Sequence, residues 1–135
     1  RRCSELLGDK KIWQFGIRSG EKYEFEWAKK HNTINKFDLN GLDDLICELK
    51  EANLPVYFTV DLDVLDPSVF PGTGTPEPGG ISYKELQDAV IKVCGGLNII
   101  AADVVELCPH YDQSGASTAI ACKILRELLL ALSGR

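Results

Sequence analysis

The chain has 135 residues, 44% of them apolar, and a formal charge of −5. This is the length of one domain or a large part of a bigger α/β domain, with enough apolar side chains to build a core, which excludes disorder. The acidic balance offers no basic stripe for nucleic acid or anionic lipid, and the most apolar stretch, Ile120 to Leu132, is interrupted by Lys123, Arg126 and Glu127 and is too short to cross a bilayer.

In chain order, Cys3 to Leu7 reads as the tail of a helix closed by Gly8. Ile12 to Ile17 is a short apolar strand that ends in Arg18-Ser19-Gly20. Glu21 to Lys30 carries Tyr23, Trp27 and Lys30 at helical spacing, and Thr33 to Phe37 is either a short strand or a connection. Leu42, Leu45, Ile46 and Leu49 follow the i, i+3, i+4, i+7 pattern of an amphipathic helix, with Asn40 as its expected N-cap. Val56 to Val60 is the central strand. Ser82 and Glu85 then form an S-x-x-E capping box, with Ile81 and Leu86 spaced as its hydrophobic staple. Leu86, Ala89, Val90 and Val93 give the buried face of that helix, and Gly95-Gly96 its stop. Leu97 to Val105 is a second apolar strand ending in Glu106. A last helix, apolar on most sides, is expected from about Asp112 to Leu132.

Alternating strands and helices, with strands apolar on both faces, predict a parallel sheet covered by helices. In open parallel sheets ligands bind beyond the carboxyl ends of the strands. Arg18-Ser19, Asp61-x-Asp63 and Glu106 are therefore expected on one rim. The five cysteines are odd in number and lack C-x-x-C spacing, which fits reduced thiols in a cytoplasmic setting better than disulfides or zinc. The chain has no Met and begins Arg1-Arg2, so residue 1 is not expected to be the natural start; either the chain is cut there or its ordered part begins there.

The chemistry concentrates in VYFTVDLDVLDPSVFPGTGTPEPGG, Val56 to Gly80. A buried strand ending in Asp61 and Asp63 places two carboxylates where they do little for stability. Hard oxygen ligands without Cys or paired His suit Mg²⁺ or Mn²⁺, although two acids are too few for a tight site. The structural alternative is that Asp61 and Asp63 cap a loop and Asp66 opens the Asp-Pro turn. Asp103 and Asp112 are near in sequence, the first inside a strand and the second at a helix start.

The segment Thr59 to Gly80, together with DVVELCPHYDQSG (Asp103 to Gly115) and FGIRSG (Phe15 to Gly20), resembles the ureohydrolases, the arginase and agmatinase family. The resemblance implies a three-layer α/β/α sandwich with a mostly parallel sheet, residues 1–135 supplying the C-terminal part of a single domain. It also implies two Mn²⁺ ions per active site and a metal-bridging hydroxide that attacks a guanidinium carbon to release urea. Asp61 matches the bridging aspartate and Asp63 the aspartate that completes one metal's shell. Glu106 matches the glutamate that orients the guanidinium, and Thr75 a threonine beside the reacting group.

The family's other ligands, a histidine in one motif and an Asp-x-His-x-x-x-Asp-like cluster in another, have no counterpart here, nor does its proton-shuttling histidine. They are expected upstream of residue 1, and the chain alone is not expected to be active. Neither His31 nor His110 matches a ligand position, and Cys108 reads as a structural thiol. Arg18-Ser19 follows the agmatinase-like pattern rather than the Arg-Asp-x-Asp of arginases, which favours agmatine, hydrolysed to putrescine and urea. The alternatives within the family are guanidinobutyrase and arginase. From other classes come a Mg²⁺-dependent phosphatase of the haloacid-dehalogenase type, in which Leu65 would have to be Thr or Val, and a metal-free non-catalytic family member. Partners expected are a small guanidino substrate and further copies of the chain in a trimer or hexamer, with no nucleic acid and no membrane.

Overall fold

A computed structural model describes residues 1–31, 34–35 and 37–134. The chain forms two compact units, Arg1–Asn40 and Gly41–Arg135. In the first, α1 (Arg2–Leu7) stops at Gly8, whose φ of 84° favours a residue without Cβ. Strand β1 is shorter than expected, Trp13–Gln14, and pairs in parallel with β2 (Ile34–Asn35) after α2 (Lys22–His31). Thr33 lies outside the described residues. His31 Nδ1 lies 2.8 Å from Asp9 Oδ1 and its ring stacks on Trp27.

The second unit contains α3 (Leu42–Ala52), β3 (Pro55–Asp61), α4 (Tyr83–Gly96), β4 (Asn98–Val105) and α5 (Ala116–Leu132). Leu45 and Leu49 bury the expected face of α3, but Asn40 does not cap it. The cap position falls on Gly41, with φ 87°, and the Asn40 side chain is turned to the Asp38 carboxylate, to which its Nδ2 donates. The capping box of α4 is present in full, with Ser82 accepting from the Glu85 amide and Glu85 from the Ser82 amide. Leu86, Ala89, Val90 and Val93 are all buried as the spacing predicts.

Strands β3 and β4 pair in parallel from Pro55↔Asn98 to Asp61↔Val105, with a register shift between Val56 and Tyr57. One side of the pair packs on a core formed by Val60, Leu62, Leu65, Phe70, Leu86, Val90, Cys94, Ala121, Ile124 and Leu128. The other side departs from the two-faced burial that an apolar run suggests. Tyr57, Ile100 and Val105 are exposed, and on α5 so are Leu125, Leu129, Leu130 and Leu132. Helix α5 begins at Ala116, four residues later than expected, since Asp112 is consumed in the preceding turn by Ser114 and Ser117.

Candidate active site

Strand alternation explains how β3 delivers its acids. Val60 and Leu62 point into the core, 3% and 0% exposed, so Asp61 between them, the last residue of the strand, is turned the other way. The chain then tightens into a 3-10 turn, Leu62–Val64, in which Asp61 accepts from the Asp63 amide at 2.9 Å. Capping and ligation are thus compatible roles for Asp61, because a carboxylate has more lone pairs than one amide uses.

The loop from Asp66 to Gly80 is closed like a strap. Asp66 N donates to Ile81 O and Ile81 N to Val64 O, both at 3.0 Å. Inside the strap, Asp66 accepts from the Ser68 hydroxyl and amide and from the Gly79 and Gly80 amides, which holds its carboxyl down at about 2. Phe70, 0% exposed, pins the middle of the loop to the core. The segment that follows returns to the acids. Thr75 Oγ1 donates to Asp63 Oδ2 at 2.9 Å, and the buried Thr73 hydroxyl donates to Asp63 Oδ1.

Asp61, Asp63 and Thr75 are therefore brought together, with Thr75 against the Asp63 carboxylate. Glu106 follows Val105, the register partner of Asp61, and so leaves the sheet at the same end. Its backbone is left-handed, φ 71°, unusual for a residue with a side chain. Such a conformation costs of order 1–3 kcal/mol and is retained where the surroundings impose it, commonly at functional sites. Arg18-Ser19 belongs to the other unit. Asp103 lies in β4 and accepts from Tyr57 and Thr59 across the strand pair. His110 and Tyr111 form an exposed turn after Glu106, and Cys108 is half-buried.

Sequence reasoning missed Thr73, Gly72 and Ser117. Gly72 N donates to Ser117 Oγ at 2.9 Å, and Gly72 O accepts from Cys108 N at 2.7 Å. Ser117 N in turn donates to Asp112, whose carboxyl is held well below the carboxylate range by Ser114 and by Ser117. The signal available was the spacing of Thr73 and Thr75, two residues apart in one loop, which can aim both hydroxyls at one acceptor.

The donor set fits a hard divalent cation in part. Asp61 and Asp63 are carboxylates held by neighbouring donors at a sheet edge, but among the described residues no third His, Cys, Asp or Glu joins them. They can form one side of a site and not the whole of it.

The model of the arginase family matches residues 1–131. The chain is 46% identical over 133 residues to an agmatinase of Bacillus cereus, covering 96% of this chain and 45% of that protein. Against an agmatinase of Bacillus subtilis it is 47% identical, again with 96% and 45% covered. Its fold superposes on the crystal structure of the agmatine ureohydrolase of Thermoplasma volcanium with a TM-score of 0.80 at 32% identity, covering 98% of this chain and 46% of that one. The arginase of Bacillus caldovelox gives a TM-score of 0.76 at 28% identity, covering 89% of this chain and 43% of that one. The chain thus spans just under half the length of these relatives, in their C-terminal half. On its α/β fold with parallel strand pairing and on the match along nearly its whole length, the chain belongs to the arginase family.

Proposed function

We propose that this chain is the C-terminal part of a single ureohydrolase domain that hydrolyses agmatine to putrescine and urea with two Mn²⁺ ions. The observation that carries the reading is the joint placement of Asp61, Asp63 and Thr75 at the exit of β3, with Glu106 at the exit of the neighbouring β4. Agmatinases among the relatives and Arg18-Ser19 in place of an Arg-Asp pattern support agmatine over arginine. Family membership leaves no support for the phosphatase alternative.

Asp61 and Asp63 would hold the metal, the remaining ligands coming from outside this chain. When bound, the two ions supply Lewis acidity and a water acidified enough to act as a nucleophile at neutral pH. Thr75 donates to one oxygen of Asp63 and so lies beside the metal-binding edge. Glu106 accepts two parallel hydrogen bonds from a guanidinium, which fixes the plane of the carbon to be attacked.

The assembly is read as a homo-oligomer, a trimer or hexamer, supported by the exposed leucines of α5. A cytoplasmic location is supported by the five free cysteines. No helix among the described residues is long and apolar enough to cross a membrane. The test is urea release by the full-length protein with added Mn²⁺, offered agmatine, arginine and guanidinobutyrate separately. Agmatine is expected to be the preferred substrate; preference for either of the others would overturn the substrate assignment.

A further inference from the structure

We infer that Thr73 is the positioning residue that fixes Asp63 for metal ligation, and that Ser117, at the start of α5, holds the Thr73 segment in place. The inference rests on the metal reading above and extends it to residues that touch neither metal nor substrate. The terminal torsion of an aspartate is broad and two-fold, so a single hydrogen bond leaves the carboxylate plane loosely set. Asp63 receives one hydroxyl on each oxygen, Thr73 on Oδ1 and Thr75 on Oδ2. Two donors on two oxygens define the plane. Each carboxylate oxygen carries two lone pairs, so accepting a hydroxyl does not preclude ligation.

The two threonines differ in what holds them. Thr75 is exposed, whereas Thr73 is 3% exposed and follows Gly72, which is anchored through both its amide and its carbonyl. Gly72 binds Ser117 Oγ through its amide and the Cys108 amide through its carbonyl, two residues past Glu106. Ser117 is 0% exposed and is itself held by Asp112. A Cβ on Gly72 would stand 2.6 Å from Ser117 Cβ, so the segment is pressed directly against α5. Thr73 is thus the buried member of the pair, next to the anchor at Gly72 that also touches the segment after Glu106.

The experiment measures Mn²⁺ affinity of the full-length protein by electron paramagnetic resonance of free Mn²⁺, with thermal melts alongside. Thr73→Val keeps the shape and removes the hydroxyl; it is expected to weaken Mn²⁺ binding by roughly 10-fold or more, the usual effect of losing a hydrogen bond to a ligand. Thr73→Ser restores the hydroxyl and is expected to return affinity to near the parent value. A purely structural Thr73 would lower the melting temperature and leave affinity unchanged, which would overturn the inference while leaving the metal reading intact. Absence of Mn²⁺ binding by the parent protein would overturn the reading itself, and the inference with it. Should Thr73→Val fail to fold, Ser117→Ala serves instead: weaker Mn²⁺ binding supports the inference and parent-like binding overturns it.

Discussion

Replacing Phe70 by Ala tests whether the site loop is held by the core rather than by its own turns. Phe70 is 0% exposed and belongs to the cluster that joins β3, α4 and α5, yet it stands in an irregular loop between Asp63 and Thr73. Burial of a phenylalanine and the cavity left by its loss are together worth about 3–5 kcal/mol. A loop can collapse into such a cavity more readily than a helix can, so the lower end, about 3 kcal/mol, is expected. Against a total stability of about 5–15 kcal/mol this is a large fraction. The assay is urea denaturation followed by circular dichroism, read together with Mn²⁺ affinity. Both should fall, because a loop that moves into the cavity carries Thr73 and Thr75 away from Asp63. A loss below about 1 kcal/mol, or a large loss with parent-like metal affinity, would refute the claim that the core positions the site.

Gly72→Ala should destabilise by roughly 1–3 kcal/mol, since the new Cβ would lie 2.6 Å from Ser117 Cβ and 2.8 Å from its Oγ. Adding Ser117→Gly should recover part of that loss in the same denaturation assay, and no recovery would mean the contact is not the cause. The strap around Asp66 should be acid-sensitive with a definite sign. The Ser68 hydroxyl, then the Ser68, Gly79 and Gly80 amides, stabilise the Asp66 anion, lowering its folded value from 3.8 to about 2. That contribution is complete above 3.8 and is lost as pH falls through about 2. Hydrogen exchange at the Gly79 and Gly80 amides should accelerate, relative to its intrinsic rate, over that window and not above it; in Asp66→Asn this dependence should vanish.

Much of the second unit was legible in the sequence because its signals are local. The capping box at Ser82 and Glu85 and the apolar spacing of α4 are set by neighbouring residues, and both appear as expected. The exit of β3 was legible for a different reason: an apolar run that ends in two carboxylates has few purely structural uses. Competition between neighbouring polar side chains explains the helix starts that the structure shifts. Asn40 has the chemistry of an N-cap, but its side chain donates to Asp38 and the cap position falls on Gly41. Asp112 has the chemistry of a helix start, yet it spends its carboxylate on Ser114 and Ser117, and α5 begins later. The apolar runs of β3 and β4 suggested burial on both faces, whereas the described residues cover one. The part played by Thr73 depends on burial and on Ser117, which lies far along the chain, and neither is written in the loop.

The central claim is a division of labour at one sheet edge, Asp61 and Asp63 for metal and Glu106 for the guanidinium. It is tested most directly by measuring bound Mn²⁺ and urea release from agmatine on the same full-length samples of Asp61→Asn, Asp63→Asn and Glu106→Gln. The account predicts that the two aspartate variants lose Mn²⁺ and activity together, while Glu106→Gln retains Mn²⁺ and loses substrate binding. A Glu106→Gln variant that binds and hydrolyses agmatine like the parent, or aspartate variants that retain Mn²⁺ in full, would contradict it.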